Sequence, residues 1–420
     1  LTLQNQTRKP GGWLAGVIVL SLGWLLLYAT RTALSSALKD IGDYWGLSEA
    51  YLGFLSSSFF ISYAVLQIPS GILADRFGSR RLIVAGFGVQ AAGLFLGSLS
   101  RSPGQFLAAR ILTGAGQATY FACQQAIISF TLPPERRGAG TAATMAGAGL
   151  GSAVGFLLGK FLSAGSFGWK MPFVALGGLS AAFILAVLAV VPEPRAGTNA
   201  RRSEAETAQP APTNSLPGWG FLAYLSVSHF LTMYGFYLML TWLPYYLETV
   251  RGLKSGLSAV VPIVMPLIMA PATIIWGMAA DRRGSRDFIL RFAMPAAAVA
   301  TAAIPLMRTP ALLSLALAVY GATGKLVMDI TLVATVGDNS PPEKRSATLA
   351  IFNFSGAFAM VVAPAVTGFI AQLTGSFDVS FYAAGLFNLL SLAGFLQAGR
   401  VLAQAKKHKP TSQGTPISGH

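Results

Sequence analysis

Gly71-Ile72-Leu73-Ala74-Asp75-Arg76-Phe77-Gly78-Ser79-Arg80-Arg81 decides how this chain folds, because it occurs twice. The second copy is Gly277-Met278-Ala279-Ala280-Asp281-Arg282-Arg283-Gly284-Ser285-Arg286. Gly71, Asp75, Arg76, Gly78, Ser79 and Arg80 each recur 206 residues later. In a soluble protein Asp-Arg-x-Gly is an ordinary turn. Here each copy is wedged between two long apolar runs. A charged, glycine-bearing hinge repeated at half the chain length marks an internally duplicated membrane protein.

The composition agrees with that reading. Of 420 residues, 53% are hydrophobic and 11% charged, against roughly 25% charged in a soluble domain. Such a chain cannot cover a globule with polar side chains. Its net charge of +15 sits in short loops between apolar runs. That distribution fits a membrane topology signal and excludes a nucleic-acid partner. Cys123 is the single cysteine, so no intramolecular disulfide exists. His229, His408 and His420 are scattered, so neither a metal site nor a cofactor is expected.

Spanning helices need ~20 apolar residues each. Twelve are predicted: 13–38, 50–72, 81–100, 104–130, 138–163, 171–192, 219–247, 255–279, 287–307, 310–337, 346–373 and 379–399. An open sheet cannot satisfy its backbone in hydrocarbon, and no alternating ten-residue strands occur, so the fold is all-α. The stretch Trp13–Thr30 competes as a signal peptide. It is too long for a signal core, and it is read as a retained first helix.

Loop charge sets the orientation. With the N-terminus inside, the cytoplasmic segments carry 19 Lys and Arg and the outer segments seven. Both termini are therefore expected in the cytoplasm of a bacterial inner membrane. Residues 193–218, rich in Ala, Thr, Ser, Gln and Pro, read as a flexible linker. It joins two six-helix bundles, 1–192 and 219–399, and a basic tail, 400–420, lies near anionic lipid. A monomer is expected.

The duplication extends further. Pro133-Pro134-Glu135-Arg136-Arg137-Gly138 has its counterpart in Pro341-Pro342-Glu343-Lys344-Arg345-Ser346. Two six-helix halves, with Gly-x-x-x-Asp-Arg-x-Gly-x-Arg after the second and eighth helices, resemble the major facilitator superfamily. Arg110-x-x-x-Gly114 looks like that family's second motif. A narrower resemblance rests on Tyr28-Ala-Thr-Arg31, Tyr234-Gly-Phe-Tyr-Leu-Met-Leu-Thr-Trp-Leu-Pro244 and Ala363-Pro-Ala-Val-Thr-Gly368. These look like the anion:cation symporter group, which includes sialin, vesicular glutamate transporters and bacterial sugar-acid transporters. The resemblance implies a secondary transporter of small organic anions, not an enzyme, working by proton symport or exchange against a counter-anion. A drug or metabolite exporter is the competing reading, for which acidic cavity charges are expected. A receptor or membrane enzyme on the same fold is a third, with no nucleotide loop or nucleophile–base pair to support it.

A charge inside the bilayer costs ~2.5–3.5 kcal/mol on insertion scales, so buried ions are functional candidates. Away from span ends these are Arg31, Arg110, Arg291, Lys325 and Asp329. Arg291 lies one turn into its helix and snorkels to the interface. Arg31 shares a helical stripe with Trp24, Tyr28 and Ser35. Its guanidinium can bind a carboxylate bidentately, with Tyr28 adding a hydrogen bond. Alternatively, Arg31 snorkels outward beside Lys39.

Lys325 and Asp329 are one turn apart on one face. They are either a mutually neutralising pair or a second anion anchor with a coupling carboxylate. Arg110, Thr113, Gln117, Tyr120 and Gln124 form a further stripe. Gln117, Tyr120 and Gln124 can meet substrate oxygens, while Arg110 is expected to pair with helix ends. Tyr237 shares a face with His229 and Thr241. Asn353 reads as a buried amide, either a substrate ligand or interhelical glue.

By resemblance, Asp75, Arg76, Arg80, Arg110, Asp281 and Arg282 form a conformational latch that holds the outward-open state. One departure matters. Proton-coupled members of the group carry an acidic residue before the helix 1 arginine and another in helix 4. Here those places are held by Thr30 and Gln117, which do not titrate.

Overall fold

Helix is the only secondary structure that satisfies every backbone N–H and C=O within one segment, and lipid offers no other partner. The computed structural model describes residues 12–193, 219–283, 287–341 and 345–407, and no strand occurs among them. The expected linker beyond Glu193, the tail beyond residue 407 and the loop residues Gly284 to Arg286 lie outside the described residues.

The first half comprises α1 (Gly12–Trp45), α2 (Glu49–Phe77), α3 (Ser79–Ser98), α4 (Pro103–Ala118), α5 (Tyr120–Thr131), α6 (Pro134–Phe161) and α7 (Met171–Val190). The second comprises α8 (Trp219–Thr249), α9 (Ser255–Val260), α10 (Val264–Arg283), α11 (Asp287–Ala303), α12 (Pro310–Thr323), α13 (Lys325–Asp338), α14 (Arg345–Thr374) and α15 (Asp378–Lys407). Eleven helical stretches among the described residues are long and apolar enough to cross a membrane. The twelfth predicted span, 104–130, is present as α4 and α5, which meet at Thr119.

Three predicted spans are thus not single helices. The eighth is interrupted by a 3-10 turn over Val261–Ile263, where Pro262 removes a backbone donor. The tenth breaks at Gly324, whose ψ of −139° lies outside the helical region, so Lys325 opens α13. The two halves share their local grammar as well. Ser102 caps α4 ahead of Pro103, and Thr309 caps α12 ahead of Pro310. In each the hydroxyl oxygen accepts an orphan backbone N–H, and the proline takes a position needing no donor.

A glycine ladder seats α1, the helix that carries Arg31. A Cβ at Gly147, Gly151, Gly155 or Gly159 of α6 would collide with the backbone carbonyls of Ser21, Leu25, Ala29 and Ala33 in turn. Small residues every fourth position let two backbones touch where no hydrophobic drive separates helix from lipid. Thr32 and Ser36 then donate to the carbonyls of Ser152 and Phe156 at 3.0 Å each. Gly155→Leu should lower the melting temperature of the purified protein, overpacking costing about 1–3 kcal/mol. Gly88→Leu, where a Cβ meets nothing within 4 Å, should leave it unchanged.

The halves are tied together at the end remote from residues 12 and 407. Lys160 Nζ lies 3.3 Å from Asp40 and 2.9 Å from Glu248, bridging α6, α1 and α8. Tyr245 donates to Glu49 at 3.2 Å, and Ser35 donates to the Leu240 carbonyl at 2.6 Å. Ser57 donates to the Val361 carbonyl at 2.6 Å, drawing α2 against α14.

Candidate substrate site between the halves

Arg31 is buried, with 5% of its surface exposed. Its Nε donates to Gln117 Oε1 at 3.1 Å, and Gln117 Nε2 donates to the Leu27 carbonyl at 3.3 Å. Gln117 is therefore a strut that fixes the guanidinium. The arginine carbon stands 4.8 Å from the Tyr28 ring centre and 4.9 Å from that of Tyr63. Aromatic rings at these distances attract a guanidinium through their faces. Nη2 is left without a partner inside the protein. The side chain faces α2 and α4, so this arrangement is not that of an arginine snorkelling toward Lys39, which instead pairs with Asp43 at 2.6 Å.

Arg110 departs from expectation. It does not pair with a helix end; it lies 4.5 Å from the Phe59 ring centre, buried, with Nε and Nη1 unpartnered. It lines a small cavity together with Arg31, Ser35, Ser56 and Thr241. The cause is its place on α4, seven residues inside the helix start and turned onto the face that meets α2.

From the other half, Lys325 Nζ lies 3.5 Å from Asp329 Oδ2 and 5.3 Å from the Phe236 ring centre. His229 Nε2 lies 3.1 Å from Asp329 Oδ1. Asp329 thus joins a lysine of its own helix to a histidine of α8. Tyr28 and Tyr237 each lie within electrostatic range of both Arg31 and Lys325. The Tyr237 ring packs 5.4 Å from Phe60 and 5.1 Å from Phe236. Arg31, Tyr28, Gln117, Tyr237 and Lys325 therefore gather in one region between the halves.

Three expected ligands do not join them. Tyr120 is fully buried and donates its hydroxyl to the Leu20 carbonyl of α1. Gln124 donates to Thr144 of α6 at 2.9 Å. The break at Thr119 ends the continuous stripe on which both were placed. Asn353 is exposed on α14 rather than buried, while its neighbours Phe352 and Ser355 turn toward His229.

In the loop motif, Asp75 and Arg76 are exposed. Arg80 pairs with Glu193 at 3.6 Å, and the backbone N–H groups of Arg80 and Arg81 donate to that carboxylate at 3.1 and 3.2 Å. Glu193 caps the start of α3, beside the left-handed turn at Gly78 (φ 94°). Arg282 is exposed, and the Asp281 side chain lies outside the described residues. Arg291 lines a surface groove with Trp276 and Phe292. Among the described residues no cluster of metal-ligating side chains occurs.

Tyr63, Glu193 and the His229–Asp329 contact escaped the sequence reading. Tyr63 lies on a helix with no charged core residue to attract notice. Glu193 reads as the first residue of a linker. The histidine contact joins residues 100 positions apart.

Comparison with known proteins places this geometry. The family model described as Major Facilitator Superfamily matches residues 20–359 and 263–418. The hexuronate transporter of Bacillus subtilis is 27% identical over 398 residues, 88% of this chain and 90% of that protein. The chloroplastic ascorbate transporter of Arabidopsis thaliana is 27% identical over 91% of this chain and 74% of its own length. Among solved structures, an inward-facing, unoccupied bacterial homolog of the human lysosomal transporter Spinster superposes with a TM-score of 0.76. It is 16% identical, covering 98% of this chain and 100% of that one. A D-xylose-proton symporter gives 0.70 at 18% identity, over 93% and 97%. With two pseudo-symmetric six-span halves and a family match over nearly its whole length, this chain belongs to the major facilitator superfamily, and it is a membrane transporter rather than an enzyme.

Proposed function

We propose that the protein carries a small organic anion, a mono- or dicarboxylate or a sugar acid, by rocking its two halves about the region between Arg31 and Lys325. The observation that carries this reading is the set of buried donors left over at Arg31 Nη2 and at Arg110 Nε and Nη1. Buried N–H groups of a cation take an anionic oxygen as acceptor, and a guanidinium meets a carboxylate bidentately. Lys325 adds a third cation from the opposite half, and Tyr28, Tyr63 and Tyr237 supply hydroxyls between them. The named activities of the hexuronate and ascorbate transporters support the same class of cargo. An exporter of cationic drugs needs acidic side chains here, and the one carboxylate, Asp329, is already shared by Lys325 and His229.

A thermal-shift screen of the purified protein tests the reading. A sugar acid or short carboxylate at 100 times its Kd stabilises the folded state by ≈ 2.7 kcal/mol. Neutral hexoses and lipophilic cations should leave the melting temperature unchanged. The opposite pattern would transfer the site to the exporter reading.

The loop charges support both termini lying in the cytoplasm, which makes the Lys160 network an outer seal and this arrangement one that is closed to the outside. Lys160→Gln leaves Asp40 and Glu248 facing each other without their shared cation. It should raise the labelling rate of Ser35→Cys by an external maleimide at least about ten-fold, ~1.4 kcal/mol. Cys123 is fully buried and contributes no background.

A further inference from the structure

We propose that His229, held on Asp329, is a proton-binding site that fills and empties during the transport cycle. The inference rests on the anion reading for its consequence, but not for its geometry. His229 Nε2 faces a carboxylate oxygen of Asp329 at 3.1 Å. Nδ1 faces Ser355 Oγ at 3.0 Å and the Phe352 carbonyl at 3.3 Å. Ser355 already donates its own hydroxyl proton to that carbonyl at 2.6 Å. A carboxylate and a carbonyl only accept, and a hydroxyl whose proton is committed elsewhere also only accepts. Both ring nitrogens therefore meet acceptors, and the arrangement satisfies an imidazolium with two N–H donors.

The same pocket also satisfies the neutral ring. When the Nδ1 proton leaves, the Ser355 hydroxyl has only to swing from the Phe352 carbonyl to Nδ1. One N–H bond breaks, one proton passes to water, and no buried polar atom of the ring is orphaned. A site that binds and releases a proton needs this property. The pocket is shaped around the ring. Phe352 stacks on it at 4.3 Å and 14°, and a Cβ at Gly356 would collide with it.

The neighbours leave Asp329 and Lys325 as the charges the ring feels. From α13 come Asp329 and, beyond it, Lys325. From α14 come Ser355 and the Phe352 carbonyl, which are uncharged. From α15, Ser391 exchanges hydrogen bonds with Ser228, and Asn388 donates to Ala384; both are uncharged. From α1, Tyr28 and Arg31 are in electrostatic range of Tyr237, two turns further along α8. Ser355, which faces Nδ1, is only partly buried, so its hydroxyl gives that proton a way out.

With the ring charged, one carboxylate balances two cations and the cluster carries a net positive charge. With the ring neutral the cluster carries none. An organic anion therefore binds the protonated cluster more tightly, and by reciprocity its arrival favours the proton's. His229 thus supplies the titrating group that Thr30 and Gln117 do not. It is also the sole histidine inside the spans, His408 and His420 lying in the tail.

Two measurements decide it. In protein bearing His408→Gln and His420→Gln with ring-15N histidine, His229 is the one imidazole observed. Both its nitrogens should be protonated at the acid end of a pH titration of the folded protein and one of them bare at the alkaline end. A ring that keeps one proton throughout overturns the proposal, whatever the cargo. In proteoliposomes, D-glucuronate accumulation driven by an inward pH gradient should fall at least about five-fold in His229→Gln, with counterflow exchange still measurable. Undiminished accumulation in that variant also overturns it. Absence of counterflow for any organic anion in the unsubstituted protein counts instead against the anion reading, and the 15N titration then decides the proton site alone.

Discussion

Arg31→Ala should leave the protein folded and inserted but unable to hold an organic anion. The substitution removes the fixed fork at the centre of the site, whose Nη2 has no partner in the protein. Truncating one side of a buried, hydrogen-bonded charge pair costs roughly 2–5 kcal/mol, so affinity should fall by at least about 30-fold. Folding should suffer less. Gln117 Oε1 loses the donor it has at 3.1 Å, a cost of about 1–3 kcal/mol. Arg31→Lys should rescue poorly. An ammonium has neither the Nε that Gln117 holds nor two parallel donors, and it gains less from the faces of Tyr28 and Tyr63. Binding of D-glucuronate measured by calorimetry separates the cases. Full affinity in Arg31→Gln would remove Arg31 from the site.

Asp329→Asn should abolish gradient-driven accumulation while leaving some counterflow exchange. An amide cannot balance Lys325 and His229 together, so the cluster stays positive and no longer follows the proton. Anion still enters a positive site, but it arrives without obligatory protonation. Accumulation driven by an imposed inward pH gradient should therefore drop at least about five-fold. Accumulation at the unsubstituted level would place the coupling on the substrate's own proton or on another ion.

The architecture was legible because it follows from lipid. Apolar runs of spanning length and the repeated Asp75 and Asp281 loops indicate twelve spans in two halves before any contact is known. The stripe logic also succeeded where a helix is unbroken, as for Tyr28 and Arg31 on α1. It failed at Thr119, where α4 passes to α5. Thr119 does not announce a break, and Tyr120 and Gln124 turned out to face α1 and α6.

The contacts that tie the site together were beyond a linear reading for a different reason. Lys160, Asp40 and Glu248 come from three helices, and each alone looks like an interfacial charge. The glycine ladder at Gly147, Gly151, Gly155 and Gly159 was visible as a four-residue period, but its partner helix was not. Arg110 matched a family motif and was assigned to helix ends on that basis. Its burial against Phe59, beside Arg31, gives it a place in the cavity.

The central claim is that the two halves enclose a site for an organic anion anchored by Arg31. Counterflow in proteoliposomes loaded with D-glucuronate, a short dicarboxylate, D-glucose or a lipophilic cation tests it most directly. The predicted result is exchange of an organic anion alone, and its loss in Arg31→Gln. Exchange of the neutral sugar or the cation, or anion exchange undiminished in Arg31→Gln, would contradict it.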